Sequence, residues 1–365
     1  MINTEIDPSI SALTQLSLVC PRCKGDLLVD AEAFSCFHCV KRFPITNGIP
    51  DFRIYSDPYL SLAEDDRRAH LVLDKFNDFS LEQLLHYYWS FSDTTPPSLR
   101  NKYIAAALLA EQKSDSWLDS FAPRNPADSF SLLDVGCGTG GLLLAARMRG
   151  LRVVGADIAM RWLQITRKRF IEAGEEVPPL ICCCADYLPF RSKQFDMISV
   201  SQTFEFVKDQ LLLTAETARL LNDRGSTVIK TVNRFALGKD PYVHLFAIGF
   251  LPRSIQPIYA RLVAGADYGK IYLNGLNEMQ QVVSQHYLSV NVSLPDLDWR
   301  TINQESWITR AQAYIYEKIK QHSFFLSFLL HFGPGWTLRL SGPRRVVATL
   351  NSYLQVTRNS GDLHE

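Results

Sequence analysis

The chain has 365 residues, 47% hydrophobic and 21% charged, enough for one large domain or two ordinary ones with real cores, and this excludes a disordered polymer. Its 38 lysines and arginines are balanced by 38 aspartates and glutamates, so the global charge draws it to neither nucleic acid nor anionic lipid. The first residues lack a basic stretch followed by an apolar core, no apolar run reaches the ~18 residues of a spanning helix, and the expected location is cytoplasmic.

The first element, over 16–55, contains Cys20-Pro-Arg-Cys23 and Cys36-Phe-His-Cys39, with twelve residues between the pairs. Each pair can form a knuckle offering two thiolates, and two knuckles close a tetrahedral structural zinc site with Cys20, Cys23, Cys36 and Cys39 as ligands and no open position for chemistry. Around them, Leu18 to Asp26 and Phe43 to Pro50 resemble the small zinc-ribbon proteins that act as activator subunits of methyltransferases. The three consecutive cysteines Cys182, Cys183 and Cys184 lie in an apolar segment and read as small buried groups of a strand in a reducing compartment.

From Tyr59 to about Phe121 the apolar spacing is helical, as in Leu81, Leu84, Leu85 and Tyr88, with a break at Thr94-Thr95-Pro96-Pro97, and 56–125 reads as a helical linker or cap. Pro123, Asn125, Pro126 and Asp128 then mark a boundary. Beyond it, over 126–365, short apolar runs alternate with helical stretches, the pattern of a parallel sheet wound with helices. Expected strands are Ser131–Val135, Arg152–Ala156, Leu180–Cys184, Phe195–Val200, Ser226–Val232, Leu288–Leu294 and a last one at Arg344–Leu350. Two apolar, aromatic insertions, near 234–275 and 300–340, interrupt the rhythm and suggest lids.

Asp134 to Gly141 reads Asp-Val-Gly-Cys-Gly-Thr-Gly-Gly and satisfies two nucleotide-binding patterns, G-x-G-x-x-G and G-x-G-x-G. It follows a strand and precedes a helix, so backbone amides and the helix dipole face a ligand. Asp157, about 20 residues on, suits ribose hydroxyls in either case. Asp134 discriminates, because a carboxylate beside the loop repels a pyrophosphate and favours a ligand carrying an ammonium and a sulfonium.

With Ala185-Asp186-Tyr187-Leu188-Pro189-Phe190 and then Phe195-Asp196-Met197-Ile198, residues 132–233 resemble the class I S-adenosylmethionine-dependent methyltransferases of the type 11 kind. The resemblance implies an α/β fold, a Rossmann-like seven-stranded methyltransferase sheet with helical insertions, here preceded by a small zinc ribbon. It implies S-adenosyl-L-methionine as cofactor, with Asp134, Gly136, Cys137, Gly138 and Gly140 around the methionine part. Asp157 would hold the ribose, Ile158 would pack on the adenine, Asp186 would accept from its amino group beside Tyr187, and Ser201 and Gln202 would close the site.

Related quinone-pathway O-methyltransferases carry E-x-x-E-H after the fourth strand; here the stretch is Gln202-Thr203-Phe204-Glu205-Phe206, so neither a divalent ion nor a catechol is implied. Glu205 can orient a substrate hydroxyl, act as a base or simply be a structural carboxylate. His244, with Tyr242 nearby, is the other candidate base. The expected activity is methyl transfer to an apolar small-molecule or lipid-like acceptor, with peripheral membrane contact through the insertions. The alternatives are an RNA base methyltransferase using its ribbon for substrate recognition, against which the neutral charge counts, and a non-catalytic scaffold for a protein partner.

Overall fold

The structure is a computed structural model that describes residues 16–92, 97–123, 129–297 and 307–344, together with Leu13 and Ile302. Near its start, β1 (Leu28–Val29), β2 (Ala33–Cys36), β3 (Lys41–Thr46) and β4 (Ile49–Pro50) form an antiparallel sheet in the order β1-β2-β3-β4. Asn47 and Gly48 close the β3–β4 hairpin with φ of 55° and 76°, values this residue pair tolerates best. Phe34 and Phe43 pack on Phe52 at 5.3 and 5.0 Å, and the same buried cluster includes Ile181, Cys183, Leu188 and Phe190. The ribbon therefore shares its core with the rest of the molecule.

The large sheet comprises β5 (Ser131–Val135), β6 (Arg152–Asp157), β7 (Leu180–Cys182), β8 (Phe195–Ser201), β9 (Leu221–Val232), β10 (Tyr287–Ser293) and β11 (Gly335–Pro343), ordered β10-β11-β9-β8-β5-β6-β7. Strands β5 to β9 are parallel, and β11 runs antiparallel to both β9 and β10. Helices α1 (Leu62–Asp74), α2 (Leu81–Phe91), α3 (Pro97–Leu108) and α4 (Ala110–Leu118) precede it, and α5 (Gly141–Met148), α6 (Met160–Glu172) and α7 (Gln210–Leu220) connect its parallel strands. Later come α8 (Gln256–Ala264), α9 (Leu276–Ser284), α10 (Trp307–Lys320) and α11 (Ser323–Phe332).

Local chemistry explains α2. Ser80 accepts from the Gln83 amide at 3.2 Å, and the Gln83 side chain accepts from the Ser80 amide at 2.8 Å, a capping box. The helix then buries Leu81, Leu84, Leu85 and Tyr88, each worth up to about 1.5–3 kcal/mol, with Tyr88 against Trp162 of α6 at 4.6 Å.

The β7 edge is not left open. Asp51 pairs in parallel with Cys182, the Phe52 amide donates to the Cys182 carbonyl at 2.7 Å, and the Val19 amide donates to the Pro189 carbonyl at 2.9 Å. A covered edge offers no template for another chain. Behind it the Arg53 guanidinium bridges Asp51, Asp65 and Asp66 at 2.6, 2.7 and 2.6 Å. Asp65 also accepts from the Met160 amide at 2.8 Å and from Arg161, which reaches Asp57 at 2.7 Å. Every ion in this buried cluster has counter-charges and hydrogen bonds, the condition under which such a cluster is tolerated.

The last strand differs from expectation. Residues 345–350 lie outside the described residues, and the strand that closes the sheet is β11, nine positions earlier than Arg344 at its start. In β11 Trp336, Leu338 and Leu340 are buried while Thr337 and Arg339 are not, a period-two pattern suited to the slot between β9 and β10. Gly335 is needed there, since a Cβ would come within 2.4 Å of the Thr231 carbonyl oxygen. Smaller differences are β9, which begins at Leu221, and β7, which ends at Cys182 and leaves the buried Cys183 and Cys184 in the following loop.

Candidate functional site

After β5 the chain turns through Gly136, Gly138 and Gly140 with φ of 77°, 53° and 77°, all in the left-handed region that glycine enters without strain. A Cβ on Gly136 would lie 2.0 Å from Thr203 Oγ1, whereas one on Gly138 would meet nothing within 4 Å. The loop is thus closed behind and open in front. Gly140 caps α5, and the Gly138 amide donates to Asp157 Oδ2 at 2.8 Å, while the Ala159 amide donates to Asp157 Oδ1 at the same distance.

In front of the loop is a cavity of about 1050 Å³. Gly136, Gly138, Asp157, Ile158, Asp186, Tyr187 and Gln202 all line it, brought from the ends of β5, β6 and β8 and the loop after β7. This is the switch-point crevice where open α/β sheets bind ligands. Six expected residues do not line it, His244 among them: Asp134 and Cys137 are buried, Gly140 caps its helix, and Ser201 ends β8. Glu205 is buried as well.

The carboxyls on this wall, and Asp134 buried behind it, are unusual. Burial, with the nearby Asp157 charge, pushes Asp134 up to about 7, and one of its oxygens has no hydrogen-bond partner among the described residues. Burial likewise raises Asp157 to about 6 and Asp186 to about 6, against the pull of the hydrogen bonds each accepts. Tyr55 donates its phenol hydroxyl to Asp186 Oδ1, and burial together with that carboxylate pushes the Tyr55 phenol up. Of these buried acids Asp157 alone feels a cation, Arg161, which is already bound to Asp57 and Asp65, and the set suits a ligand that brings positive charge and hydrogen-bond donors.

Tyr55 belongs to a wall that sequence reasoning missed. Ile54, Tyr55, Ser56, Asp57, Pro58 and Tyr59, the chain leaving the ribbon, run along the cavity, and Arg22 from the first cysteine knuckle also reaches it. The signal available was turn chemistry: Asp57 accepts from the amides of Tyr59 and Leu60 at 2.6 and 2.7 Å, the Asp-Pro turn that a helical reading from Tyr59 onward passes over. Lys270 and Tyr272 of the first insertion, Phe206 and Lys208 complete the far side.

Glu205 and His244 are separated. The Glu205 carboxylate accepts from the Tyr242 hydroxyl and, at 3.0 Å, from Thr231 Oγ1, and burial raises it above its usual range. Tyr242 stacks edge-on against Phe206 at 5.2 Å, and Phe206 against Tyr59 at 6.0 Å. His244 is exposed, with a φ of 55°, and does not line the cavity. Val243, Ile248, Ala260, Tyr268, Ile271 and Leu273 give this insertion a small core of its own.

The four cysteine sulfurs of the ribbon all lie within 4.8 Å of one another, with Cys23 and Cys36 Sγ 3.6 Å apart. A tetrahedral cation with bonds of about 2.3 Å needs sulfurs roughly 3.8 Å apart, so the arrangement fits one. The Gly25 and Cys39 amides donate to Cys23 and Cys36 Sγ at 3.4 Å each.

Comparison with known proteins follows the parallel strands. Residues 133–229, from β5 into β9, match the family described as a methyltransferase domain. A ubiquinone biosynthesis O-methyltransferase of Thiobacillus denitrificans is 26% identical over 178 residues, covering 47% of this chain and 73% of its own length. One of Xylella fastidiosa is 32% identical over 117 residues, 32% of this chain and 48% of its own, so the chain spans only about half of that relative. The solved structure of phosphoethanolamine N-methyltransferase 2 of Haemonchus contortus, with S-adenosyl-L-methionine, superposes with a TM-score of 0.42 at 18% identity, over 64% of this chain and 53% of that one.

Proposed function

We propose that this class I S-adenosylmethionine-dependent methyltransferase methylates a small apolar acceptor of the lipid-like, quinone-precursor kind. The observation that carries the reading is the two-sided build of the cavity, with carboxyls at strand ends on one wall and Tyr59, Phe206 and Tyr272 on the other. The relatives named ubiquinone biosynthesis O-methyltransferases support the acceptor class.

The residues present fit the cofactor. The open face at Gly138 admits its amino-acid part, the unpartnered Asp134 oxygen and Asp157 favour a cation there, and a pyrophosphate would be repelled. Asp157 would take the ribose hydroxyls, Asp186 the adenine amino group, and Ile158, Tyr187 and Gln202 the base and its surroundings, with Ser201 at the rim. When bound, S-adenosylmethionine supplies a methyl group on a sulfonium, poised for in-line displacement.

The chain's own contribution is alignment and exclusion of water, which alone lowers such a barrier by several kcal/mol. The Lys208 and Lys270 ammonium groups lining the far side favour the ionised form of an acceptor hydroxyl, whose proton can leave to water. Glu205 acts by fixing Tyr242 and Thr231, which hold Phe206 and β9 in place, and this carboxylate is committed to them rather than to a cation. His244 stands outside the reacting volume. Cys20, Cys23, Cys36 and Cys39 would hold a structural zinc, which would fix the wall carrying Arg22 and Tyr55.

Calorimetry with the purified chain tests the cofactor: S-adenosylmethionine and its demethylated product should bind at micromolar concentration while NAD does not, and the reverse would end the reading. Incubation with labelled cofactor and a prenylated hydroxybenzene tests the acceptor, with a labelled lipid product expected. Label that passes to RNA instead would replace the acceptor and leave the cofactor assignment standing.

A further inference from the structure

Helix α11 is composed like a core helix, yet it offers a core only the half-buried Leu330. From Ser323 to Phe332 it contains no lysine, arginine, aspartate or glutamate, and none of its residues is buried. Phe324 is 83% exposed and Phe328 48%. Phe328 packs on Phe332 at 5.1 Å, Phe332 stacks on Phe250 at 6.4 Å, and Phe250 lies against Phe235 at 5.3 Å. An aromatic row therefore joins α11 to the first insertion. There α8 exposes Ile258, Val263 and Leu262, the last by 80%, and α10 exposes Trp307, Tyr314 and Ile315. Scattered apolar side chains need no explanation, but this many on three helices of two adjoining insertions mark an interaction surface.

Charge says what covers it. Residues 234–264 carry Arg234, Lys239, Arg253 and Arg261 against Asp240, and residues 307–332 carry Arg310, Lys318 and Lys320 against Glu317. Arg234 and Arg253 pair with Glu278 and Lys320 with Asp296, so Lys239, Arg261, Arg310 and Lys318 supply the excess. Asp240 is buried and receives the Tyr268 hydroxyl at 2.6 Å. The two apolar segments are thus cationic in a chain whose total formal charge is zero. A second copy would set these cations against their own kind, whereas an anionic bilayer matches both the charge and the apolar side chains. Among the described residues no helix is long and apolar enough to cross a membrane, so the fit is to its surface.

We propose that α8, α10 and α11 dock on an anionic lipid bilayer, with Phe324, Phe325, Phe328 and Leu262 entering the headgroup–acyl boundary and Arg261, Arg310 and Lys318 meeting lipid phosphates. This goes beyond the methyl-transfer reading and does not depend on the acceptor. The test is co-sedimentation of the full chain with vesicles of phosphatidylcholine alone and of phosphatidylcholine mixed with phosphatidylglycerol. The chain should sediment with the mixed vesicles, progressively less as salt is raised, and little with the neutral ones. The double variant Phe324→Ser/Phe328→Ser should bind at least about tenfold less, because two apolar insertions are lost, with melting temperature and S-adenosylmethionine affinity unchanged. Lys318→Glu should weaken binding to the mixed vesicles about fivefold, one charge near the surface being worth roughly 1 kcal/mol. No sedimentation with either vesicle, or equal sedimentation with both, would overturn the proposal. So would a concentration-dependent dimer in light scattering that the phenylalanine substitutions dissolve, since the face would then belong to a second copy.

Discussion

The two walls of the cavity are held by different means. On the side of β5, β6 and β7, Asp134 and Asp157 lie at the ends of β5 and β6 and Asp186 in the loop after β7, and parallel ladders fix those ends with registers such as Asp134 opposite Gly155 and Asp157 opposite Cys182. On the other side, Tyr55 and Tyr59 hang from the ribbon's exit, and Lys270 and Tyr272 from an insertion with a core of its own. The first wall is a property of the sheet. The second is a property of how separate pieces dock on it, and that difference predicts unequal responses to mutation.

The ribbon gives the largest expected effect. Because Phe34, Phe43 and Phe52 share one core with Ile181, Leu188 and Phe190, Cys23→Ser should remove the zinc and lower the melting temperature of the whole chain by about 10 °C, in a single transition. Cofactor affinity should fall as well, since Arg22 and Tyr55 lose their support. If only the metal is lost and melting is unchanged, the ribbon is an appendage and the second wall stands without it.

Next comes the sheet-built wall. Asp157→Ala removes a carboxylate expected to accept from two ribose hydroxyls, charge-assisted bonds worth about 1.5–3 kcal/mol in all. S-adenosylmethionine should bind ten- to a hundredfold more weakly by calorimetry, roughly. It also strips acceptors from the Gly138 and Ala159 amides, so a matched circular dichroism spectrum has to accompany the result. Full affinity in the variant would move the ribose elsewhere.

Acid should act on the same wall more gently. Asp134, Asp157 and Asp186 sit at about 7, 6 and 6 in the folded chain against an ordinary 3.8. A raised acid binds more protons folded than unfolded between the two values, so their contribution to stability of the ligand-free protein declines as pH rises from about 4 to 7. The cationic cofactor prefers the ionised carboxyls, so its affinity changes in the opposite sense and should be roughly tenfold lower at pH 5 than at pH 8. A flat affinity profile would show that the three acids are ionised throughout or do not face the ligand.

The same division explains what the sequence revealed. Ser131–Val135 was legible to the residue, and β8 to within one, because buried parallel strands are continuous apolar runs and each ends beside a recognisable motif. Asp157 and Asp186 followed from those ends. β11 was missed because Gly335, Gly342 and Pro343 bracket its alternating Trp336, Leu338 and Leu340 and most of it fell in the stretch near 300–340 read as an insertion, while the apolar residues after Arg344 looked more like a strand. Tyr55 was beyond reach for another reason. It meets Asp186 across 131 residues, through docking of the ribbon on the β7 edge, and no local period records that.

Tyr55 therefore offers the finest test of the comparison, because it is where the docked wall touches the sheet-built one. Its hydroxyl engages one oxygen of Asp186, and on the proposed reading the other takes the adenine amino group. That bond lowers the cost of keeping a buried carboxylate ionised and fixes its plane, so it should assist the cofactor rather than compete with it. Tyr55 is 38% exposed, so water can replace the lost hydroxyl in part, and the net worth of the bond is about 0.5–1 kcal/mol. Tyr55→Phe should accordingly weaken S-adenosylmethionine binding by roughly three- to fivefold and shift the acid limb of the affinity profile to higher pH, with melting unchanged. Tighter binding would mean that the adenine takes the oxygen Tyr55 now holds, and the phenol would then be a gate that the cofactor has to displace.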